Sequence, residues 1–311
     1  MPGTRVPTVI IPYKWPVTEP SQQDIFVYLR PETNGVRVES LLFGIIRKEP
    51  LYRENITVAY LANFPGDFIL RNKIIEQHYA DRIYFTRKGK KAFTPHMRKA
   101  FEEYFHTDFE SAQIMGAFEA LHKGTWGRDE LFRLWVDPTD VCTVNSQTIK
   151  RLGDIYIVNY DIPALLHKNN ERTDVAVMIF RSNLSAPAFS DLVNDFRRGL
   201  VEGGVLSAET PLAHALHYSK SPFEQILDAE GYLYSQSGSH VPFEQVRYAE
   251  WLHRQGVSYD SIRAILHHPI MQFRAESGEI IEEHLFVYTA GDTFEMAFAK
   301  LSSAVSQLLL V

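Results

Sequence analysis

The order of apolar and polar positions near the start of the chain predicts a strand, a turn, a helix and a second strand. Ile25 to Leu29 (IFVYL) is an unbroken apolar run of strand length. A polar turn with Arg30, Glu32, Asn34 and Gly35 follows it. Val38, Leu41, Leu42, Ile45 and Ile46 then recur at helical spacing, and Pro50 ends the pattern. Ile56 to Leu61 (ITVAYL) predicts the second strand. Ligands of α/β proteins gather at the carboxyl ends of strands, so the turn at Arg30 is the first candidate for a binding site.

The same reading continues downstream. Asp67 is a cap for a predicted helix FILRNKIIEQHYADR, and Thr94-Pro95 starts another, HMRKAFEEYF. Between them Arg87 to Lys91 (RKGKK) is a basic loop, either solvated surface or a phosphate-facing segment. Ala112 to Phe118 fits a strand or a helical turn, and its periodicity does not decide. Arg128 to Trp135 predicts a helix closed by Asp137-Pro138-Thr139-Asp140. DIYIV (154–158) and VAVMIF (175–180) predict strands, and Pro187 opens a helix that Gly203-Gly204 terminates.

The remainder is rich in helical patterns. Ser221-Pro222-Phe223-Glu224 is a capping box, and its Pro-Phe-Glu-Gln core returns at Pro242. Residues 243–268 resemble a helix-turn-helix, with Gly256 at the turn and Ser258 as a cap, but Arg263 stands nearly alone as a cation on the second helix. HLFVYTA (284–290) predicts a strand, and FEMAFAKLSSAVSQLLL a closing helix.

Composition narrows the classes. With 311 residues the chain has room for two domains or one with a large appendage, and 45% apolar and 23% charged residues are ordinary for a globular protein. No apolar run approaches the ~20 residues of a membrane span. The N-terminus is too rich in proline for a secretory signal, and Cys142 is the one cysteine. These features predict a cytoplasmic protein. A net charge of −6 disfavours non-specific nucleic-acid binding. Of the histidines, His214 and His217 could share a helical face, but no carboxylate at matching spacing completes a site, and no metal centre is assigned.

Five short motifs occur in the order they take in nucleoside diphosphate kinases. They are Arg30-Pro31-Glu32 after the first strand, His78-Tyr79-Ala80, Lys91-Ala92-Phe93, Arg133 through Thr139-Asp140, and Thr148-Ile149-Lys150. The segment from Asp24 to Gly203 thus resembles that family. The resemblance implies an α/β (α+β) fold, with a ferredoxin-like antiparallel sheet and packed helices over residues 24–203. A proline-rich arm (1–23) and a helix-rich extension (204–311) would flank it. It further implies phosphate contacts from Arg30, Arg133 and Lys150, a hydroxyl contact from Thr139, a base stacked on Phe93, and Tyr79 orienting a basic neighbour. It leaves the cofactor unknown, with a magnesium-nucleotide one that the resemblance allows, and allows a homo-oligomer or a protein partner as the assembly.

The family's phosphorylated histidine has no counterpart. After the strand VAVMIF that position is Phe180, which cannot carry a phosphoryl group. The leading expectation is a nucleotide- or phosphate-binding regulatory or assembly protein with no catalytic residue. Two alternatives stand beside it. One is a phosphotransfer enzyme with a different nucleophile, for instance His96 or His167; the other is a DNA-binding regulator acting through 243–268.

Overall fold

A computed structural model describes residues 5–15, 22–124, 126–168 and 170–310. The prolines at positions 2, 16 and 20 of the expected arm lie outside these residues. Helix occupies 47% and strand 22% of the chain, in largely antiparallel sheets with packed helices, which is the expected α+β class. The strands are β1 (Thr8–Ile11), β2 (Gln23–Leu29), β3 (Ile56–Phe64), β4 (Gln113–Gly116), β5 (Val141–Val144), β6 (Gln147–Leu152), β7 (Ile155–Val158), β8 (Val175–Ser182), β9 (Leu216–Tyr218), β10 (Ile270–Arg274), β11 (Ile280–His284) and β12 (Ala304–Gln307).

The chain forms two compact units, each assembled from separated segments. The first comprises residues 1–74, 170–262 and 289–299, and the second 75–169, 263–288 and 300–311. The boundary expected between residues 203 and 204 therefore falls inside the first unit. There the helix Ala186–Glu202 and β9 belong to one sheet structure.

That sheet runs β1-β3-β8-β2-β9, with every neighbouring pair antiparallel. Without β1 it is β2–helix–β3 followed by β8–helix–β9 in the order β3-β8-β2-β9, which is the ferredoxin-like arrangement. The segment 75–169 interrupts it between β3 and β8. Helices Val36–Lys48 and Ala186–Glu202 cover one face, with Val38, Leu42, Ile46, Leu192, Phe196 and Leu200 buried on Ile25, Val27, Leu29 and Met178. The two helices approach closely because Gly199 has no side chain: a Cβ there would lie 2.6 Å from the Ile45 side chain. On the alternate positions of β2, Tyr28 stacks near Tyr232, which meets Phe64. Burial on both faces explains why β2 reads as an apolar run and not an alternation. At its start, Arg181 grips Asp24 through Nε at 2.7 Å and Nη2 at 2.8 Å, and Tyr13 donates to the same carboxylate at 2.7 Å.

The second unit contains a four-stranded sheet, β4-β7-β6-β5, in which only β4 and β7 are parallel. A two-residue turn, Asn145-Ser146, joins β5 to β6 with φ of 48° and 63°, the left-handed pair that matches strand twist in tight hairpins. Its core is aromatic, built from Phe85, Phe93, Phe101, Phe105, Phe109 and Tyr156. A second sheet, β11-β10-β12, lies in the same unit.

Three local expectations change. The single helix after Asp67 is three pieces, Gly66–Arg71, Ile74–His78 and Ala80–Lys88, with Lys73 at φ 51° between the first two. The predicted strand 284–290 ends at His284, and Leu285–Tyr288 is a helical turn. The predicted closing helix stops at Ser302, because Ala304–Gln307 pairs with β10 instead. Tertiary pairing outweighs a helical pattern there.

Candidate functional site

The six residues carried over from the kinase resemblance divide between the units. Arg30 belongs to the first; Tyr79, Phe93, Arg133, Thr139 and Lys150 belong to the second. At the end of β2, Arg30 donates its Nε–H to the Ala213 carbonyl at 3.1 Å and holds its guanidinium 5.7 Å from the centre of the Tyr28 ring. Tyr79 is half-buried with its ring against His78. Phe93 is buried against Phe109 at 5.3 Å, so its ring is spent inside the aromatic core.

Arg133, Thr139 and Lys150 come together around one loop. The helix Arg128–Arg133 ends, the chain extends through Leu134–Asp137, and a 3-10 turn, Pro138–Asp140, feeds β5. The buried side chain of Lys150, on β6, crosses under this loop and donates to the Leu134 carbonyl at 2.6 Å. Its ammonium also caps the Tyr160 ring at 3.8 Å. The far end of the loop is fixed by Arg151, which donates to Asp140 at 2.6 Å, and by the Tyr104 hydroxyl on the Val141 carbonyl at 2.8 Å. Within it, Asp137 accepts from the Thr139 hydroxyl at 2.7 Å and from its backbone N–H at 3.0 Å. Arg133 and Thr139 are exposed.

Trp135 sits on this loop with 81% of its surface in solvent. The sequence patterns do not single it out. The available signal was an aromatic residue placed just past the end of a helix and just before an Asp-Pro turn, with no core for it to enter.

Behind Lys150 the unit is polar and interlocked. Arg82 clasps Asp161 through two bonds of 3.0 and 2.8 Å and reaches Asn159 at 3.3 Å. Asn159, buried and at φ 52°, donates to Gln147 at 2.7 Å and to the Arg82 carbonyl at 3.0 Å. Burial lowers the Lys150 ammonium from its ordinary value, and Asp161 opposes that in part. A further cluster joins Thr94, whose hydroxyl donates to Glu282 at 2.6 Å, with Asn145, whose amide donates to the same oxygen at 2.7 Å. Nearby on β11, His284 accepts the Phe286 N–H on Nδ1, so its Nε2–H points its proton at Asp81, 3.2 Å away. Burial alone would raise the Asp81 carboxyl, but the hydrogen bond from His284, together with the backbone N–H and the charge of Arg82, outweighs it and holds the group below its ordinary value.

In the first unit, His217 on β9 does acquire carboxylates, from a source its sequence neighbourhood does not reveal. Glu224 and Asp228 lie one turn apart on the helix Pro222–Tyr232, and their oxygens are 3.7 and 3.3 Å from His217 Nε2. Tyr28 stacks on the imidazole at 4.4 Å. His217 Nε2 and Glu224 are metal-type donors, but the fully buried Asp228 carboxylate competes for the same nitrogen.

Comparison with protein-family models, with curated proteins and with solved structures gives no match. Among the described residues no helix is long and apolar enough to cross a membrane.

Proposed function

We propose that this protein binds a nucleotide-type ligand on the loop from Arg133 to Thr139, without transferring its phosphate, as a regulatory or assembly module. The observation that carries this reading is the 81% exposure of Trp135 on a loop anchored by Lys150, Arg151 and Tyr104. A large ring left in water forgoes the burial that usually stabilises it, about 2 kcal/mol or more for a side chain of this size. An anchored loop presents that face with little ordering left to lose on binding. The indole is a platform for a base, worth about 1–3 kcal/mol per stacked ring. Arg133, two residues away, supplies a planar cation suited to phosphate oxygens. Phe180 supports the absence of phosphotransfer: it is fully buried between Phe43 and Phe196, with neither a nucleophilic atom nor access to solvent.

Isothermal titration with ATP, GTP and their diphosphates tests the proposal. Saturable heat with at least one of them, lost in Trp135→Ala and kept in Trp135→Phe, is the expected result. No heat with any of them on folded protein, or equal heat from Trp135→Ala, removes it.

A further inference from the structure

A separate surface of the second unit concentrates positive charge in a chain whose net charge is −6. The helix Ala80–Lys88 ends in Arg87 and Lys88, and the short 3-10 turn Gly89–Ala92 adds Lys90 and Lys91. Arg87, Lys88 and Lys91 are exposed, and among the described residues none of them forms an ion pair. Lys90 is spent differently: it donates to the Glu110 carbonyl at 2.7 Å and lies over the Phe109 ring. At this edge of the cluster Arg98 pairs with Glu110 at 3.3 Å.

Part of this charge has a structural use. Arg87 and Lys88 lie in the last helical turn, where cations offset the negative end of the helix dipole. Lys91 lies beyond that turn, so the dipole does not account for it. The backbone between them is also held tightly. Gly89 takes φ 54°, and a Cβ there would sit 2.7 Å from the Gly116 nitrogen. A Cβ on Gly116 would in turn lie 1.8 Å from the Thr86 carbonyl oxygen. The turn is thus packed closely against β4, and it carries three exposed cations without ion pairs, of which Lys88 also lies 5.5 Å from the centre of the Tyr84 ring.

We infer that the Arg87–Lys91 turn is an anion-binding surface for a compact, multiply charged phosphate group. Its footprint is a single turn, and acidic Glu103 and Glu110 on the flanking segments are exposed. That suits one dense cluster of phosphate oxygens better than the long backbone of a nucleic acid. The same chemistry is offered by a soluble polyphosphate and by a phosphorylated lipid headgroup.

The test uses the full chain and two probes, inorganic tripolyphosphate and phosphatidylcholine vesicles carrying a phosphatidylinositol bisphosphate. Binding of either probe at low salt, weakened about tenfold or more in the triple variant Arg87→Gln, Lys88→Gln, Lys91→Gln, is expected. A charge-keeping triple, Arg87→Lys, Lys88→Arg, Lys91→Arg, should retain it. Whichever probe binds identifies the source of the phosphate. Failure of both probes to bind, or equal binding by the neutral triple, overturns the inference, as does equal loss in both triples. The triple variants leave Arg133 and Trp135 untouched, so this inference and the proposed nucleotide site are tested on separate proteins.

Discussion

The Lys150 ammonium meets the Leu134 carbonyl oxygen at 2.6 Å, and this bond ties a buried strand residue to a surface loop. The next residue, Trp135, is the large side chain that this anchored backbone leaves in water. Lys150 thus serves the candidate site as a strut beneath the loop, with its charge shared between a carbonyl and the Tyr160 ring.

Replacing the strut should loosen the loop. Lys150→Met keeps the buried aliphatic stem but removes the donor, leaving the Leu134 carbonyl without it. A stability loss of about 1–2 kcal/mol is expected, read from urea midpoints at unchanged slope. If the loop is the ligand platform, nucleotide affinity falls as well; a variant with wild-type affinity would show that the anchoring is irrelevant to binding.

Thr94 combines two duties. Its hydroxyl accepts the Met97 N–H as the cap of the helix Pro95–Phe105 and donates to buried Glu282. Thr94→Val should cost about 2 kcal/mol, roughly 1 for the cap and a similar amount for the carboxylate's lost donor. Thermal denaturation checks this, and a change under half that size would mean that Asn145 satisfies Glu282 alone.

The Asp81–His284 pair sets an acid dependence. The folded carboxyl lies below its ordinary value of 3.8, so folding favours the ionised form. Its contribution is therefore complete above pH 3.8 and drains away as pH falls through the lower folded value. Asp81→Asn should lose about 2 kcal/mol at neutral pH, the size of a hydrogen bond to a charged group, and its stability should fall less steeply than that of the native protein below pH 4. Parallel acid-unfolding profiles for the two proteins would contradict the assignment.

Gly116 is required by space and not by backbone angle. Ala at this position would drive a methyl to within 1.8 Å of the Thr86 carbonyl oxygen. Gly116→Ala should destabilise the second unit by about 3 kcal/mol or more. An unchanged melting temperature would mean that Ala80–Lys88 can move away from β4 at little cost.

Much of the first unit was legible because its signals are local. The apolar run at β2, the stripe Val38–Leu42–Ile46 and the helix between Pro187 and Gly203 all fall where periodicity places them. What pattern reading could not supply was non-local pairing. Ala304–Gln307 carries a helical pattern yet becomes a strand because β10 offers it a partner. The interruption between β3 and β8 hides that β8 and β9 complete a sheet begun before residue 64. The candidate site shows the same division. Arg133 and Thr139 share a loop because they are close in sequence, and one hairpin brings Lys150 under it. The family resemblance implies a stacking ring at Phe93, and its burial against Phe109 is a non-local contact that the sequence does not display. The partners of His217 were hidden in a helix whose capping box was visible, but whose face was not.

A nucleotide base is expected to stack on the exposed face of Trp135. Trp135 is one of 4 tryptophans in the chain, so the comparison is native protein against Trp135→Phe, titrated with ADP, ATP, GDP and GTP while tryptophan fluorescence is followed. Saturable quenching in the native protein that disappears in Trp135→Phe, which still binds by calorimetry, is the predicted result. Quenching that persists in Trp135→Phe, or none in either protein at millimolar nucleotide, would contradict it.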